Sequence, residues 1–169
     1  MVSDVALPST APVTAVAVSA DSSSPGPLGS SSGTLSAVIG VLLATDSDAV
    51  YNEVDAALAG DDTTVWRVRA GAAVLDVITI KEPDLVLLDL QIGNMGGLAT
   101  CLAIRQEEGF DRLTHRPVGL LLDRAADTFL ANEVRAEGWI VKPLDPLRLR
   151  RLAQRLIAGD TSYEAPALA

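Results

Sequence analysis

Asp46, Asp89 and Lys142 are the residues of this chain whose types could do chemistry together. Two carboxylates offer hard oxygens of the kind Mg²⁺ takes alongside waters and phosphate oxygens. A carboxylate can also attack phosphorus and form an aspartyl phosphate. An ammonium can neutralise a phosphoryl oxygen, and such transfer needs mainly positioning and charge neutralisation. Each of the three follows a short apolar run: Val41-Leu42-Leu43-Ala44 before Thr45-Asp46, Leu85-Val86-Leu87-Leu88 before Asp89, and Trp139-Ile140-Val141 before Lys142. Taken alone, Asp89 reads equally well as the cap of the turn that follows, since Asp is common at strand ends.

The elements that would position these groups can be read from the pattern of apolar residues. Short apolar runs bounded by polar residues read as strands buried on both faces, as in a parallel sheet. Ala37–Ala44, Leu85–Leu88 and Pro117–Leu122 have this form, and Trp139–Val141 is a shorter one. Thr63–Arg69 alternates instead, with Val65, Arg67 and Arg69 on one side, which suggests an edge strand guarded by arginines. Between the runs lie helical patterns. Val50, Val54, Ala57 and Leu58 form the first, after the capping residues Thr45-Asp46-Ser47-Asp48. Gly71–Lys81 carries Val74, Val77 and Ile78 inward, and Leu98, Cys101, Leu102 and Arg105 mark the next helix. Asp127-Thr128 can cap a fourth through Phe129, Leu130 and Val134. Asp145-Pro146 starts a fifth, with Asp as N-cap, Pro at the first position and Leu149, Leu152, Ala153 and Leu156 on one face.

Strand and helix thus alternate five times, which predicts an α/β fold with a doubly wound five-stranded parallel sheet. Asp46, Asp89, Leu122-Asp123 and Lys142 then fall at carboxyl ends of strands and share one crevice, where ligands collect in such sheets. The loop Gln91-Ile92-Gly93-Asn94-Met95-Gly96-Gly97 can fold close around Asp89.

Composition narrows the function. The chain has 169 residues and a formal net charge of -9, which disfavours direct nucleic-acid or anionic-membrane binding. Cys101 and His115 are the sole residues of their types, so an internal disulfide and a cysteine or histidine metal cage are excluded. His115, between Thr114 and Arg116-Pro117, reads as an exposed loop residue. No run of about 20 apolar residues is present and the N-terminus lacks a basic signal region, so the expected location is cytoplasmic. Residues 1–34, rich in Ser, Ala and Pro, read as a disordered tail; 35–159 as one domain; 160–169 as a frayed C-terminal tail.

Over roughly residues 37–158 the chain resembles the receiver domain of bacterial two-component response regulators. The likeness rests on Val41-Leu42-Leu43-Ala44-Thr45-Asp46-Ser47, Asp84-Leu85-Val86-Leu87-Leu88-Asp89, Gly96-Gly97 and Gly138-Trp139-Ile140-Val141-Lys142-Pro143. The resemblance implies the flavodoxin-like (βα)5 sheet of order 2-1-3-4-5. It implies a signalling domain rather than an enzyme, with Asp89 accepting a phosphoryl group from a histidine kinase or phosphotransfer protein. It further implies Mg²⁺ on Asp46, Asp89 and the Gln91 backbone, Lys142 against the phosphoryl group, and a Lys142–Pro143 bond that is often cis. Leu122 and Trp139 fall at the family's two switch positions. Output would pass to a downstream protein, with a homodimer through the fourth and fifth helices as one form of contact. Arg148, Arg150, Arg151 and Arg155 on the last helix suit its solvated face or such a surface. No helix-turn-helix follows, so a stand-alone receiver is expected.

Three positions depart from the family pattern. Thr45 replaces the first of two adjacent acids, Gly93 a proline, and Leu122 the hydroxyl residue that bonds the phosphoryl group. These departures predict weaker metal binding and weaker coupling to output. They also leave open a degenerate receiver that acts by protein contact without phosphorylation. A small flavodoxin-like enzyme is the third reading, opposed by the lack of a Ser/Thr-rich phosphate loop after the first strand.

Overall fold

The computed structural model describes residues 38–60, 62–161 and 163–164. The five longer strands are β1 (Ile39–Ala44), β2 (Thr63–Val68), β3 (Leu85–Asp89), β4 (Val118–Leu122) and β5 (Gly138–Val141). They pair in parallel in the order 2-1-3-4-5. Helices α1 (Asp48–Leu58), α2 (Val74–Lys81), α3 (Gly97–Gly109), α4 (Thr128–Glu133) and α5 (Pro146–Ile157) connect or flank them. This is the doubly wound α/β arrangement expected from the alternation of patterns. The tail expected over residues 1–34 lies outside the described residues.

Successive strand residues face opposite sides, so each unbroken apolar run feeds two cores. Leu42, Val86, Leu88, Leu120 and Leu122 face α2, α3 and α4, meeting Val74, Ile78, Cys101, Ile104 and Ala131. Val41, Leu43, Leu85, Leu87, Leu121 and Ile140 face α1 and α5, meeting Val50, Val54, Leu149, Leu152 and Leu156. Every residue of β3 and of β4 is buried. Replacing one of their leucines with alanine costs about 2–5 kcal/mol in a core of this kind. The same burial pushes the Cys101 thiol up to about 12, which leaves it inert.

Caps fix where two helices begin. The Ser47 hydroxyl accepts the Val50 N–H at 3.3 Å, and the Asp145 carboxylate accepts the Arg148 N–H at 2.9 Å with Pro146 following. The start of α4 differs from the expectation. Asp127 does not cap it through its side chain; its carboxylate pairs with Arg124 at 3.2 Å, and a 3₁₀ turn over Ala125–Asp127 leads in. Phe129 and Leu102, which help to mark their helices in the sequence, are exposed, and Ala131, Cys101 and Ile104 make the core contacts there.

The expected fraying of 160–169 is also corrected in part. Tyr163–Glu164 form a short strand, β6, parallel to β5 and paired with Gly138 and Trp139. A strand at a sheet edge carries unpaired N–H and C=O groups, and β6 satisfies some of those on β5.

At the opposite end of the sheet from the strand carboxyl ends, Arg105 joins Glu108 and Glu137. His115, exposed as expected, lays Nδ1 3.1 Å from the Glu108 carboxylate. Burial pushes the Glu108 carboxyl up, but the Arg116 N–H, the Arg105 guanidinium and His115 outweigh it and hold it below its ordinary value. The cluster's contribution is therefore complete above the ordinary value of 4.5 and is lost as pH falls through the lowered folded value. Glu108→Gln should lower the thermal midpoint at neutral pH and flatten its decline in acid. A decline as steep as that of the unsubstituted protein would show that this carboxylate does not titrate with folding.

Candidate functional site

The strand carboxyl ends bring Asp89, Lys142, Thr45, Asp46 and Asp123 together. Asp89 ends β3, and its side chain is only 3% exposed. A carboxylate removed this far from water must be paired. Lys142, just past β5, donates from Nζ to Asp89 Oδ1 at 2.7 Å. The Thr45 hydroxyl, fully buried at the end of β1, donates to Asp89 Oδ2 at 2.7 Å. Thr45 Oγ1 in turn accepts the Ser47 N–H at 3.2 Å, and Asp89 Oδ1 also accepts the Gln91 N–H at 3.2 Å. Both oxygens of Asp89 thus have donors from other strand ends or from the following loop.

Lys142 is placed by its backbone as well as by its charge. Its N–H donates to the Leu122 carbonyl at 2.8 Å, the Lys142–Pro143 peptide is cis, and Nζ also donates to Asp123 Oδ1 at 3.0 Å. Burial by itself would lower the Lys142 ammonium, but the hydrogen bonds to Asp89 and Asp123, with their charges, hold it above its ordinary value. The ion pair is complete below the ordinary lysine value of 10.5 and is lost as pH rises through the raised one.

Asp46 points its Oδ2 at the Gly93 N–H, 3.1 Å away, which ties the β1–α1 loop to the β3–α3 loop. That second loop folds back at Asn94 (φ 55) and Met95 (φ 124) rather than at its glycines. Gly97 serves close approach instead: a Cβ there would collide with the Asp89 carbonyl oxygen.

Arg67 is a site residue that pattern reading assigned to edge protection. It pairs with Leu43 in the sheet register. Its guanidinium donates to the Thr45 carbonyl at 3.1 Å, the Asp46 carbonyl at 3.0 Å and Asp48 Oδ1 at 2.6 Å. It thereby clamps the loop that presents Thr45 and Asp46. Alternation marked which face Arg67 occupies; only the register placed it at that loop. The other site residue missed as a partner is Asp123, whose pairing with Lys142 depends on the chain's course beyond β4.

The two switch positions sit together in the core. Leu122 and Trp139 belong to the same apolar cluster, and both are buried. Trp139 is turned inward, with its ring buried against the sheet. Its indole N–H is buried without a hydrogen-bond partner.

Comparison with known proteins gives the family and the fold. The family model described as the response regulator receiver domain matches residues 41–154. The chain belongs to the response regulator receiver family. Among curated relatives, the DNA-binding response regulator MtrA of Mycolicibacterium smegmatis is 27% identical over 75% of this chain and 59% of its own length. The transcriptional regulatory protein CseB of Streptomyces avermitilis is 30% identical over 62% of this chain and 43% of its own. The chain therefore spans about half the length of the curated relatives it matches. The BeF3-activated receiver domain of Klebsiella pneumoniae RstA superposes with a TM-score of 0.60 at 28% identity, covering 69% of this chain and 97% of that one. The chemotaxis response regulator CheY4 of Vibrio cholerae, at 23% identity and a TM-score of 0.62 over 70% of this chain and 98% of its own, shares the fold.

Receiver domains of this pattern imply a divalent cation, and the donors present can be tested against one. Asp46, Asp89 and the Gln91 carbonyl are hard oxygen donors, which suit Mg²⁺ with waters completing the shell. No group of three or more acidic, histidine or cysteine side chains able to hold a metal occurs among the described residues. Thr45 stands where a third carboxylate would complete such a group, so the donor set fits Mg²⁺ but is one charge short. Thr45→Asp should tighten Mg²⁺ binding about tenfold or more, measured by calorimetry. It should also lower the metal-free thermal midpoint, because a second acid would face Asp89 in a buried site. Equal affinities in the two proteins would show that Thr45 does not limit Mg²⁺ binding.

Proposed function

We propose that this receiver accepts a phosphoryl group on Asp89 from the phosphohistidine of a kinase or phosphotransfer protein and signals by protein contact. The observation that carries this reading is the 2.7 Å bond between Lys142 Nζ and Asp89 Oδ1. It places an ammonium against the buried Asp89 carboxylate, where phosphoryl oxygens would need neutralising. Asp89 Oδ1 attacks phosphorus, the donor's P–N bond breaks, and its electron pair leaves with the imidazole. Lys142 turns an N–H toward the phosphoryl oxygens. Thr45 holds Asp89 Oδ2 and so fixes the direction from which Oδ1 attacks. Asp46, Asp89 and the Gln91 carbonyl would hold Mg²⁺, which supplies further charge neutralisation when bound.

The chain acts as an acceptor rather than as an enzyme on a separate substrate. Among the described residues no helix is long and apolar enough to cross a membrane. That and the acidic composition support a cytoplasmic place and argue against direct binding to membrane or nucleic acid. Exposed Phe129 on α4 and Leu147 on α5 give a surface for a downstream protein or a second copy.

One observation favours a second reading. Both oxygens of Asp89 already have donors, and Leu122 offers no hydroxyl to a phosphoryl group. A receiver held in one conformation by these contacts would bind its partner without phosphorylation. Intact-mass spectra after incubation with acetyl phosphate and Mg²⁺ separate the two. The first reading expects one phosphoryl group on the unsubstituted protein and none on Asp89→Asn. Equal labelling of both removes Asp89 from its role, and labelling of neither selects the phosphorylation-independent reading.

A further inference from the structure

The Lys142 ammonium is shared. It donates to Asp89 Oδ1 at 2.7 Å and to Asp123 Oδ1 at 3.0 Å, so two of its three N–H bonds are committed to carboxylates. Exposure rises along this row from 3% at Asp89 to 20% at Lys142 and 34% at Asp123. Asp123 is thus the outermost of the three. Its loop is held at both ends. The Leu122 carbonyl accepts the Lys142 N–H at 2.8 Å, and Arg124 pairs with Asp127 at 3.2 Å. Leu122 is buried in the core, which anchors the end of β4 from which Asp123 projects.

The charges in the crevice explain what this arrangement does. Asp46, Asp89 and Asp123 are acidic, and Lys142 is the cation that bonds the carboxylates of Asp89 and Asp123. The hydroxyl of Thr45 leaves the β1 end one acid short, while Asp123 adds one at the β4 end, beside the lysine. A carboxylate there makes the same kind of bond to Lys142 that a phosphoryl oxygen would.

We propose that Asp123 is an internal competitor for the phosphoryl subsite on Lys142, a positioning residue that slows loading of Asp89 by dianionic phosphoryl donors. The proposal rests on the reading of Asp89 as the acceptor. With acetyl phosphate, Asp89 Oδ1 forms the new P–O bond, the P–O bond to the acetyl group breaks, and acetate leaves with the electron pair. No proton is transferred. Lys142 moves one N–H from Asp123 to a phosphoryl oxygen, and the freed Asp123 carboxylate turns to water. Loading therefore brings a dianion past a carboxylate that already shares the ammonium, and full use of the ammonium by the phosphoryl group displaces a charge-assisted bond.

The test is the rate of aspartyl phosphate formation with Mg²⁺, read by intact mass, for acetyl phosphate (a dianion) and phosphoramidate (a monoanion). Asp123→Asn and Asp123→Ser remove the charge, and Asp123→Glu retains it. The carboxylate lies at the surface of the crevice, and thermal midpoints check that the variants fold. The neutral variants should load on the order of tenfold faster with acetyl phosphate, and by a smaller factor with phosphoramidate. Asp123→Glu should stay near the unsubstituted rate. A gain below threefold in both neutral variants, or an equal gain with the two donors, overturns the proposal while leaving Asp89 as acceptor. No phosphate on Asp89 in any of the proteins overturns the acceptor reading and this one with it.

Discussion

The buried carboxylate of Asp89 is the constraint on which the rest of the site depends. Removing a charge from water costs several kcal/mol unless donors replace the water. Here the donors come from far apart in the chain: Thr45 lies 44 residues before Asp89 and Lys142 lies 53 after it. The sheet must therefore set β1 and β5 on either side of β3, with their carboxyl ends level. The order 2-1-3-4-5 does this, and the unbroken apolar runs of β1, β3 and β4 make that order stable by burying both faces. The core and the site are one construction, since the leucines that pack the two faces also fix the heights at which Thr45, Asp89 and Leu122 emerge.

The loops around the carboxylate are tied to one another rather than left to solvent. Arg67 clamps the β1–α1 loop through two carbonyls, and Asp46 bonds that loop to Gly93 beyond β3. The Arg124–Asp127 pair braces the loop beyond β4. The acid at position 123 places a further carboxylate against Lys142, so the charges of Asp89, Lys142 and Asp123 are already paired with one another. Behind these loops, Leu122 and Trp139 fill the core together, so motion there would have to open a packed cluster rather than fill a gap.

How much of this was legible in the sequence follows from the range of the interactions. Local signals were plain. The Ser47 and Asp145 caps, the inward faces of α1 and α5 and the buried strands are each encoded within a few residues. The convergence of Asp46, Asp89 and Lys142 followed from the strand alternation, because all parallel strands end on the same side. What failed to show was side-chain partnership across the sheet. Nothing near Arg67 distinguishes an edge guard from a loop clamp; its role depends on pairing beside Leu43. Thr45 read as a missing acid, whereas its hydroxyl is a donor to the buried oxygen. Trp139 was read only as standing at a switch position; its burial in one cluster with Leu122 depends on the packing of β4 and β5. Leu102 and Phe129 are exposed because Cys101, Ile104 and Ala131 occupy the inward positions of their helices, which the sequence pattern alone does not reveal.

The central claim is that Asp89 and Lys142 act as one electrostatic unit that joins β3 to β5. A double-mutant cycle measures this directly, using urea unfolding of the unsubstituted protein, Asp89→Asn, Lys142→Met and the double variant. Removing one partner of a buried pair leaves the other uncompensated, so the two single changes should not add. The account predicts a coupling energy of about 1 kcal/mol or more between them. Stability changes that add to within about 0.5 kcal/mol, as independent sites do, would contradict it.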